Sequence, residues 1–372
     1  MSVLTRSPEE ICDVVRELPT GIRLLPVGGG TKPALSATMR GDVELLDVSG
    51  LRGIVEYDPA ELTLTALSAT PVSEIARTLA EHDQYLPFDP PLARAGATIG
   101  GVIATGVSGA GALRHGAVRD FVIGVRFVDG TGRIVGGGGR VVKNAAGFDF
   151  PKLMVGSIGR LGVITQASLK VFPRPQATTT VELMLSDTRS ALDAASALAR
   201  GPINLDALDV LPDGSLLARL GGSPELLAAR ADRVVGSIDA PYRVHTGDGE
   251  RQLWRDAAEF GWLPPENALV RAGLSMSAAR ELDRAVAALE GVQVRYAVAG
   301  TTAWIACPIE RLDAVDALLL ALRLPGLVLR GVVDRQLLGP GDVGGAFAAR
   351  VARALDPQRR FMELPRRIES TL

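Results

Sequence analysis

Ala97–Gly116 reads ATIGGVIATGVSGAGALRHG, and the reading of this stretch decides the fold. Gly100, Gly101, Gly106, Gly109, Gly111 and Gly116 alternate here with Ile99, Val102, Ile103 and Val107, with almost no charge. A flexible linker is Gly/Ser-rich and polar. A stretch that is both apolar and glycine-rich is instead buried, with something close against its backbone. Each glycine costs a helix roughly 1 kcal/mol relative to alanine, so it is present for another reason. The close neighbour is either another piece of chain or a ligand, and glycine suits both.

The rest of the chain narrows the choice. Its 372 residues are enough for two or three domains with real cores. A composition of 47% hydrophobic and 22% charged residues is that of a globular protein. A formal charge of -2 provides no basic field, and 4% aromatics provide few stacking platforms, so nucleic acid is disfavoured as a partner. The two cysteines, Cys12 and Cys307, form neither a disulfide framework nor a zinc pattern. MSVLTRSPEEICDVV carries acid where a signal peptide needs base, and no apolar run has the length of a membrane span. A cytoplasmic location is expected; peripheral attachment at the inner face of the membrane through a complex stays open.

Ser7-Pro8-Glu9-Glu10 is a capping box with proline in the first turn, followed by Ile11, Val14, Val15 and Leu18 at helical spacing. IRLLPV, VELLDVS and ELTLTALSA predict strands, and Thr70-Pro71 opens a second amphipathic helix. FVIGVRFVDGTGRIV predicts a hairpin turning at Asp129-Gly130. After Pro173 and Pro175 the texture changes to strand-helix-strand-strand-helix, given twice. That order predicts an antiparallel sheet with helices on one face, an α+β layer. A last amphipathic helix falls near Ala346–Leu355, followed by DPQRRFMELPR.

A second glycine cluster, Val27-Gly28-Gly29-Gly30-Thr31-Lys32, follows the first long strand. It is either a tight turn or a nest of backbone N–H groups for a phosphate. It is not a Walker A loop, because Pro33 follows Lys32 and the first glycine is missing. Pro33 also stands where a dinucleotide G-x-G-x-x-G motif needs its last glycine.

The order of the pieces is more specific than any one of them. PVGGGTK, then PFDPP (87–91) leading into ARAGATIGGVIATGVSGAGALRHGAVRDF, then GGRVVKNAAGFDFPKLMVGSIGRLGVIT, lie in sequence over about residues 20–175. Together they resemble the FAD-binding domain of the vanillyl-alcohol oxidase / p-cresol methylhydroxylase (PCMH) type. The resemblance implies an α+β fold: a two-subdomain PCMH-type FAD-binding domain at 1–175, a smaller α+β cap domain with an antiparallel sheet at 176–330, and a segment at 331–372 returning towards the FAD domain. It implies phosphate contacts from Gly28, Gly29, Gly30, Thr31 and Lys32 and from Ala97, Thr98, Ile99, Gly100 and Gly101, with Val27, Pro90 and Gly96 also among the cofactor-binding residues. Ala104, Thr105, Gly106, Ser108 and Gly109 would run along the ribityl chain and flavin; His115 is either a flavin contact or a packing and hydrogen-bonding residue, and Gly116 is also among the cofactor-binding residues. Gly162, Val163 and Ile164 would meet the adenine end. No histidine stands near the first loop for covalent attachment, so FAD is expected to be non-covalent. Lys143, with Asn144 and Asp149 nearby, is a candidate to stabilise charge on a reduced ring, or else a surface lysine. Arg119-Asp120 reads as a structural pair or loop anchor.

Within that type, residues 47–91 and the third motif look most like the 2-hydroxy-acid branch, specifically the smaller FAD-binding subunit of bacterial glycolate oxidases. This implies an FAD-dependent oxidoreductase acting on a small 2-hydroxy acid, glycolate to glyoxylate. The implied partners are a larger FAD-binding catalytic subunit and an iron–sulfur subunit. Catalytic members carry a histidine-rich, metal-assisted site in the second domain, whereas His245 is the only histidine here beyond Arg174, and no metal site is expected. Two cysteines cannot supply the four thiolates of an iron–sulfur cluster. These absences fit an electron-transfer or supporting subunit better than a stand-alone dehydrogenase. A stand-alone flavoenzyme on another hydroxy acid or alcohol stays open, as does a non-catalytic assembly subunit using Trp254 and Trp304 at an interface. The tail keeps Phe361 but lacks the asparagine that relatives bring back to the flavin.

Overall fold

The computed structural model describes residues 2–37, 41–139, 148–331, 333, 335–340 and 345–363. Two compact units emerge. The first comprises Met1–Ser108, Gly116–Arg174 and Gly344–Leu364; the second comprises Gly109–His115, Pro175–Val343 and Pro365–Leu372.

In the first unit the capping sequence starts the helix Pro8–Glu17, with the Ser7 hydroxyl accepting the Glu10 N–H at 3.2 Å. Its buried Ile11 and Val15 pack against Leu24, Leu46 and Phe361. Below them lies a parallel sheet in the order Ser2–Leu4, Val43–Asp47, Arg23–Val27. The chain's tail extends this sheet: Leu24 donates its N–H to Arg360 O at 2.7 Å, and Met362 donates to Leu24 O at 2.9 Å. The five-stranded antiparallel sheet runs Ile54–Asp58, Thr63–Leu67, Val163–Lys170, Val122–Val128, Ile134–Gly138. Its hairpin turns where expected, with Asp129 Oδ1 accepting the N–H groups of Thr131 at 2.9 Å and Arg133 at 3.1 Å. Ile75 and Leu79 of the helix Val72–Ala80 fill the core with Ile99, Val102, Ile103 and Phe127.

Ala97–Gly116 contains a helix, Ile99–Thr105, whose Ile99, Val102 and Ile103 are fully buried. Thr98 caps its start and Gly106, at φ +62°, ends it in the left-handed region that favours glycine. Two glycines inside so short a helix hide it from propensity. Packing overrides that cost: an added Cβ on Gly100 would lie 2.7 Å from Ser68 Cβ.

The second unit is built on nine antiparallel strands. Their order is Tyr242–Thr246, Ala177–Met184, Ser215–Gly222, Ala207–Val210, Gln293–Ala297, Thr302–Cys307, Ala268–Gly273, Gly326–Arg330, Leu337–Leu338. On one face, Asp283 of the helix Met276–Val286 accepts from Thr188 at 2.7 Å and from Tyr296 at 3.4 Å, and Leu319 of the helix Leu312–Ala321 covers Gly326. The helix Gly247–Ala258 departs from the expectation of one helical face, for it lies on the opposite side. Its fully buried Glu250 accepts from Thr178 (2.7 Å), Thr180 (3.0 Å) and Arg219 Nε (2.8 Å), while Trp254 Nε1 donates to Thr180. Polar groups on the sheet thus receive polar groups on the helix, which apolar periodicity cannot report. Trp254 and Trp304 are both buried in this unit. His245 is in a strand, bonded through Nε2 to Glu182 at 2.8 Å, rather than in a loop as its glycine-rich neighbourhood suggests.

Candidate functional site

The strand Arg23–Val27 brings Leu25 and Pro26 to a cleft within the first unit, with about 760 Å³ of empty space including the open mouth. Gly28–Lys32 forms one wall. Thr98, Gly100, Gly101, Ala104 and Thr105 form another, and Ile158, Gly159 and Gly162–Ile164 a third. The first two walls touch: a Cβ on Gly29 would come within 2.1 Å of Gly96 O, and one on Gly28 within 2.9 Å of Thr98 Oγ1. Glycine at these positions lets two backbone segments meet.

The amides of these walls differ. Ala97 donates to Leu92 O, Ile99 to Thr70 O and Gly100 to Ser68 O at 2.7 Å, while Gly101 reaches Thr98 Oγ1 at 3.3 Å. Among the described residues, no hydrogen bond is donated by any backbone N–H of Gly28, Gly29, Gly30, Thr31 or Lys32. Among the described residues these are five successive amides without protein acceptors beside a cleft, the kind of donor set that can receive an anion.

Lys32 supplies a full charge to the same wall. It is 5% exposed, and burial pulls its ammonium down to about 8 from 10.5. Its Nζ lies 3.4 Å from Thr31 Oγ1, and among the described residues no carboxylate pairs with it. A buried, unpaired cation is costly unless a ligand neutralises it.

Of the residues named from sequence, Gly28–Lys32, Thr98, Gly100, Gly101, Ala104, Thr105 and Gly162–Ile164 line this cleft. Val27, Pro90, Gly96, Ala97, Ile99, Ser108 and Gly116 lie in the same unit without lining it. Gly96 and Ile99 instead support the walls, and Ser108 accepts the Val118 N–H at 2.8 Å. Gly109 and His115 belong to the second unit, where burial lowers the His115 imidazole from its ordinary value. Lys143 and Asn144 lie outside the described residues. Asp149 caps the helix Phe150–Met154 and pairs with Lys152 at 3.0 Å; Asp120 accepts the Ala117 N–H at 2.9 Å. Sequence reasoning missed Leu25, Pro26, Leu35, Ser36, Val48, Ser68, Ile158 and Gly159, which also line the cleft. Apolar strand residues give no local signal that one side borders a cavity.

Among the described residues no three His, Cys, Asp or Glu side chains gather as metal donors would, and no helix is long and apolar enough to cross a membrane.

Residues 1–137 match the family model described as an FAD binding domain. With the cleft, this marks residues 1–137 as an FAD-binding domain, with FAD as its cofactor. Over 204 residues, 55% of this chain and 57% of the relative, it is 40% identical to glycolate oxidase subunit GlcE of Escherichia coli K12. Over 196 residues, 52% of this chain and 33% of the relative, it is 31% identical to mitochondrial D-lactate dehydrogenase [cytochrome] 1 of Saccharomyces cerevisiae. The matches therefore span about a third to just over half of these relatives' own lengths. In fold it is similar to alkyldihydroxyacetonephosphate synthase, with TM-score 0.70 and 16% identity, covering 97% of this chain and 75% of that one.

The cleft fits the cofactor's most demanding part. A diphosphate needs several donors and positive charge on one wall, and Gly28–Lys32 offers both. Apolar Ile158, Val163 and Ile164 give the neighbouring wall a surface suited to a flat ring.

Proposed function

We propose that this chain is the FAD-binding subunit of a glycolate oxidase-like 2-hydroxy-acid dehydrogenase complex, with an electron-transfer or supporting role in oxidising glycolate to glyoxylate. The observation that carries the reading is the five-amide nest of Gly28–Lys32 with its unpaired, buried lysine, set in a chain 40% identical over 204 residues to a glycolate oxidase subunit. In domain terms the reading takes 1–175 as the FAD-binding domain, 176–330 as the cap and 331–372 as the returning segment. Its partners are a larger FAD-binding catalytic subunit and an iron–sulfur subunit. It works in the cytoplasm, at the inner face of the membrane where its complex docks there.

In this reading Gly28–Lys32 holds the diphosphate through backbone donors and the Lys32 ammonium, so FAD is bound non-covalently. The close contact of Gly29 with Gly96 O fixes that loop against the segment leading to Ile99–Thr105. Gly100 and Gly101 keep the second wall free of side-chain bulk, and Gly162–Ile164 covers the adenine end. When bound, FAD supplies the two-electron acceptor that converts a 2-hydroxy acid to its 2-oxo acid. The test is an absorption spectrum of the purified chain before and after anaerobic addition of glycolate. A flavin spectrum that stays oxidised is the expected result. Bleaching by glycolate alone would make the chain a complete dehydrogenase and refute the supporting role, and colourless protein would refute the cofactor reading.

A further inference from the structure

The nine-stranded sheet of the second unit ends differently at its two edges. One edge is Leu337–Leu338, two residues long, with Leu338 buried. The other is Tyr242–Thr246, which keeps continuous register with Ala177–Met184 over five positions, without a bulge. It contains no proline and no lysine, and Tyr242, Arg243, Val244 and Thr246 are exposed. Folded proteins ordinarily blunt such an edge by shortening it, bulging it, or placing lysine or proline in it. The edge strand Ile54–Asp58 of the first unit, by comparison, carries a bulge between Ile54 and Glu56.

The open groups of this strand follow from its register. Met184 donates its N–H to Pro241 O at 2.9 Å, so the backbone at position 241 bonds towards Ala177–Met184. That direction alternates along an antiparallel strand. Arg243 and His245 therefore also turn their backbone groups inward. Tyr242 and Val244 point N–H and C=O away from the sheet, where no further strand stands among the described residues. The side chains of Tyr242 and Val244 are 51% and 48% exposed and share one face. The strand's other face carries Arg243, without an ion pair among the described residues, and His245, whose Nε2 is bonded to Glu182 at 2.8 Å.

We propose that Tyr242–Thr246 is the docking edge for an extended segment of a different polypeptide, which adds to the sheet as a further strand, with apolar side chains beside Tyr242 and Val244 and a carboxylate opposite Arg243. A second copy of this chain does not fit. Antiparallel pairing of the whole strand with itself centres on Val244 and sets Arg243 of each copy opposite His245 of the other; centred on Arg243 instead, it sets that residue against itself. Like charges directly opposed weaken a strand pair, and Glu182, the residue opposite Arg243 within the sheet, is already held by His245. An acidic residue on a foreign strand satisfies Arg243, while main-chain bonds to Tyr242 and Val244 supply affinity, as in strand addition to other open edges. That the segment belongs to another subunit of the same complex rests on the function proposed above; the docking edge does not.

The test is photocrosslinking of the full chain in the cells that make it, with Tyr242 replaced by p-benzoylphenylalanine and the adduct mapped by mass spectrometry. The expected adduct joins a different polypeptide, within a segment that alternates apolar side chains and carries Asp or Glu. Val244→Pro removes one outward N–H and spares the ladder to Ala177–Met184, because proline is tolerated where an edge strand's N–H faces solvent. It should abolish the adduct at an unchanged melting temperature. Arg243→Glu, a change at an exposed side chain, should reduce the yield about fivefold. No adduct, an adduct between two copies or within one chain, an adduct to a segment without that pattern, or one that both variants leave unchanged overturns the proposal. The captured chain tests the earlier reading separately: a segment of the stated pattern from a protein with neither flavin nor iron–sulfur cluster sinks that assignment of partners and keeps the docking edge.

Discussion

Replacing Lys32 with methionine should move two properties in opposite directions. The ammonium is 5% exposed and, among the described residues, pairs with no carboxylate, and burial brings it from 10.5 to about 8. At roughly 1.4 kcal/mol per pH unit, that difference corresponds to about 3 kcal/mol of instability in the apoprotein at neutral pH. The sign follows from proton counts. Below pH 8 the lysine is charged whether the chain is folded or not, and the whole cost is present. Between pH 8 and 10.5 the unfolded chain holds more protons than the folded one, so stability rises with pH. Above 10.5 the cost is gone. Lys32→Met removes it at every pH, so the apoprotein should gain up to about 3 kcal/mol at pH 7 and lose the rise between pH 8 and 10.5. FAD affinity should fall about 10- to 100-fold, the worth of one charged hydrogen bond of about 1.5–3 kcal/mol. Trp254, Trp262 and Trp304 all lie in the second unit, so urea unfolding must be followed by circular dichroism rather than tryptophan emission. FAD binding is read by quenching of flavin fluorescence. A variant whose apoprotein is weaker than wild type, with FAD affinity unchanged, would refute the assignment of Lys32 as an unpaired cation awaiting the diphosphate.

Gly29→Ala places a methyl 2.1 Å from Gly96 O and should cost about 1–3 kcal/mol by overpacking, with flavin content reduced on purification. Gly41→Ala, which meets nothing within 4 Å, should be neutral in both respects. Glu250→Ala removes the carboxylate that Arg219 holds and leaves Thr178 and Thr180 without their acceptor, and should destabilise the second unit by about 3–5 kcal/mol, seen in the emission of Trp254. Phe361→Ala removes a side chain 1% exposed from the core shared with Ile11 and Leu24; a loss of about 3–5 kcal/mol should appear in the first unit, with flavin release, while tryptophan emission stays native.

Local chemistry made much of this fold legible. Ser7-Pro8 starts a helix because its capping groups are adjacent in sequence, and Asp129-Gly130 turns a hairpin for the same reason. Both glycine clusters also announced themselves, although with incomplete meaning. In Ala97–Gly116 the glycines were visible but the helix Ile99–Thr105 was not, because its stability comes from contacts such as Gly100 against Ser68, 32 positions away in sequence. The distribution of free amides was equally hidden, since it depends on which carbonyl each N–H meets after folding.

The two glycine clusters perform different work, and the difference explains why both are needed. Gly100 spends its amide on Ser68 O, and its lack of a side chain lets the helix Ile99–Thr105 sit close to Ser68. Gly28 and Gly29 pack closely against Thr98 and Gly96, and Lys32 O accepts the Leu35 N–H at 2.9 Å, so the loop is positioned by close packing and by a carbonyl rather than by bonds from its own N–H groups. A loop held in this way keeps its N–H groups available. Had the same five residues been fixed by a conventional turn, some of those donors would have been consumed in making it. Ala97–Gly101 therefore supplies the surface, and Gly28–Lys32 keeps the donors. It follows that Gly96 O and Gly29 are one functional unit: crowding either side of that contact should release FAD even where the altered residue touches no ligand.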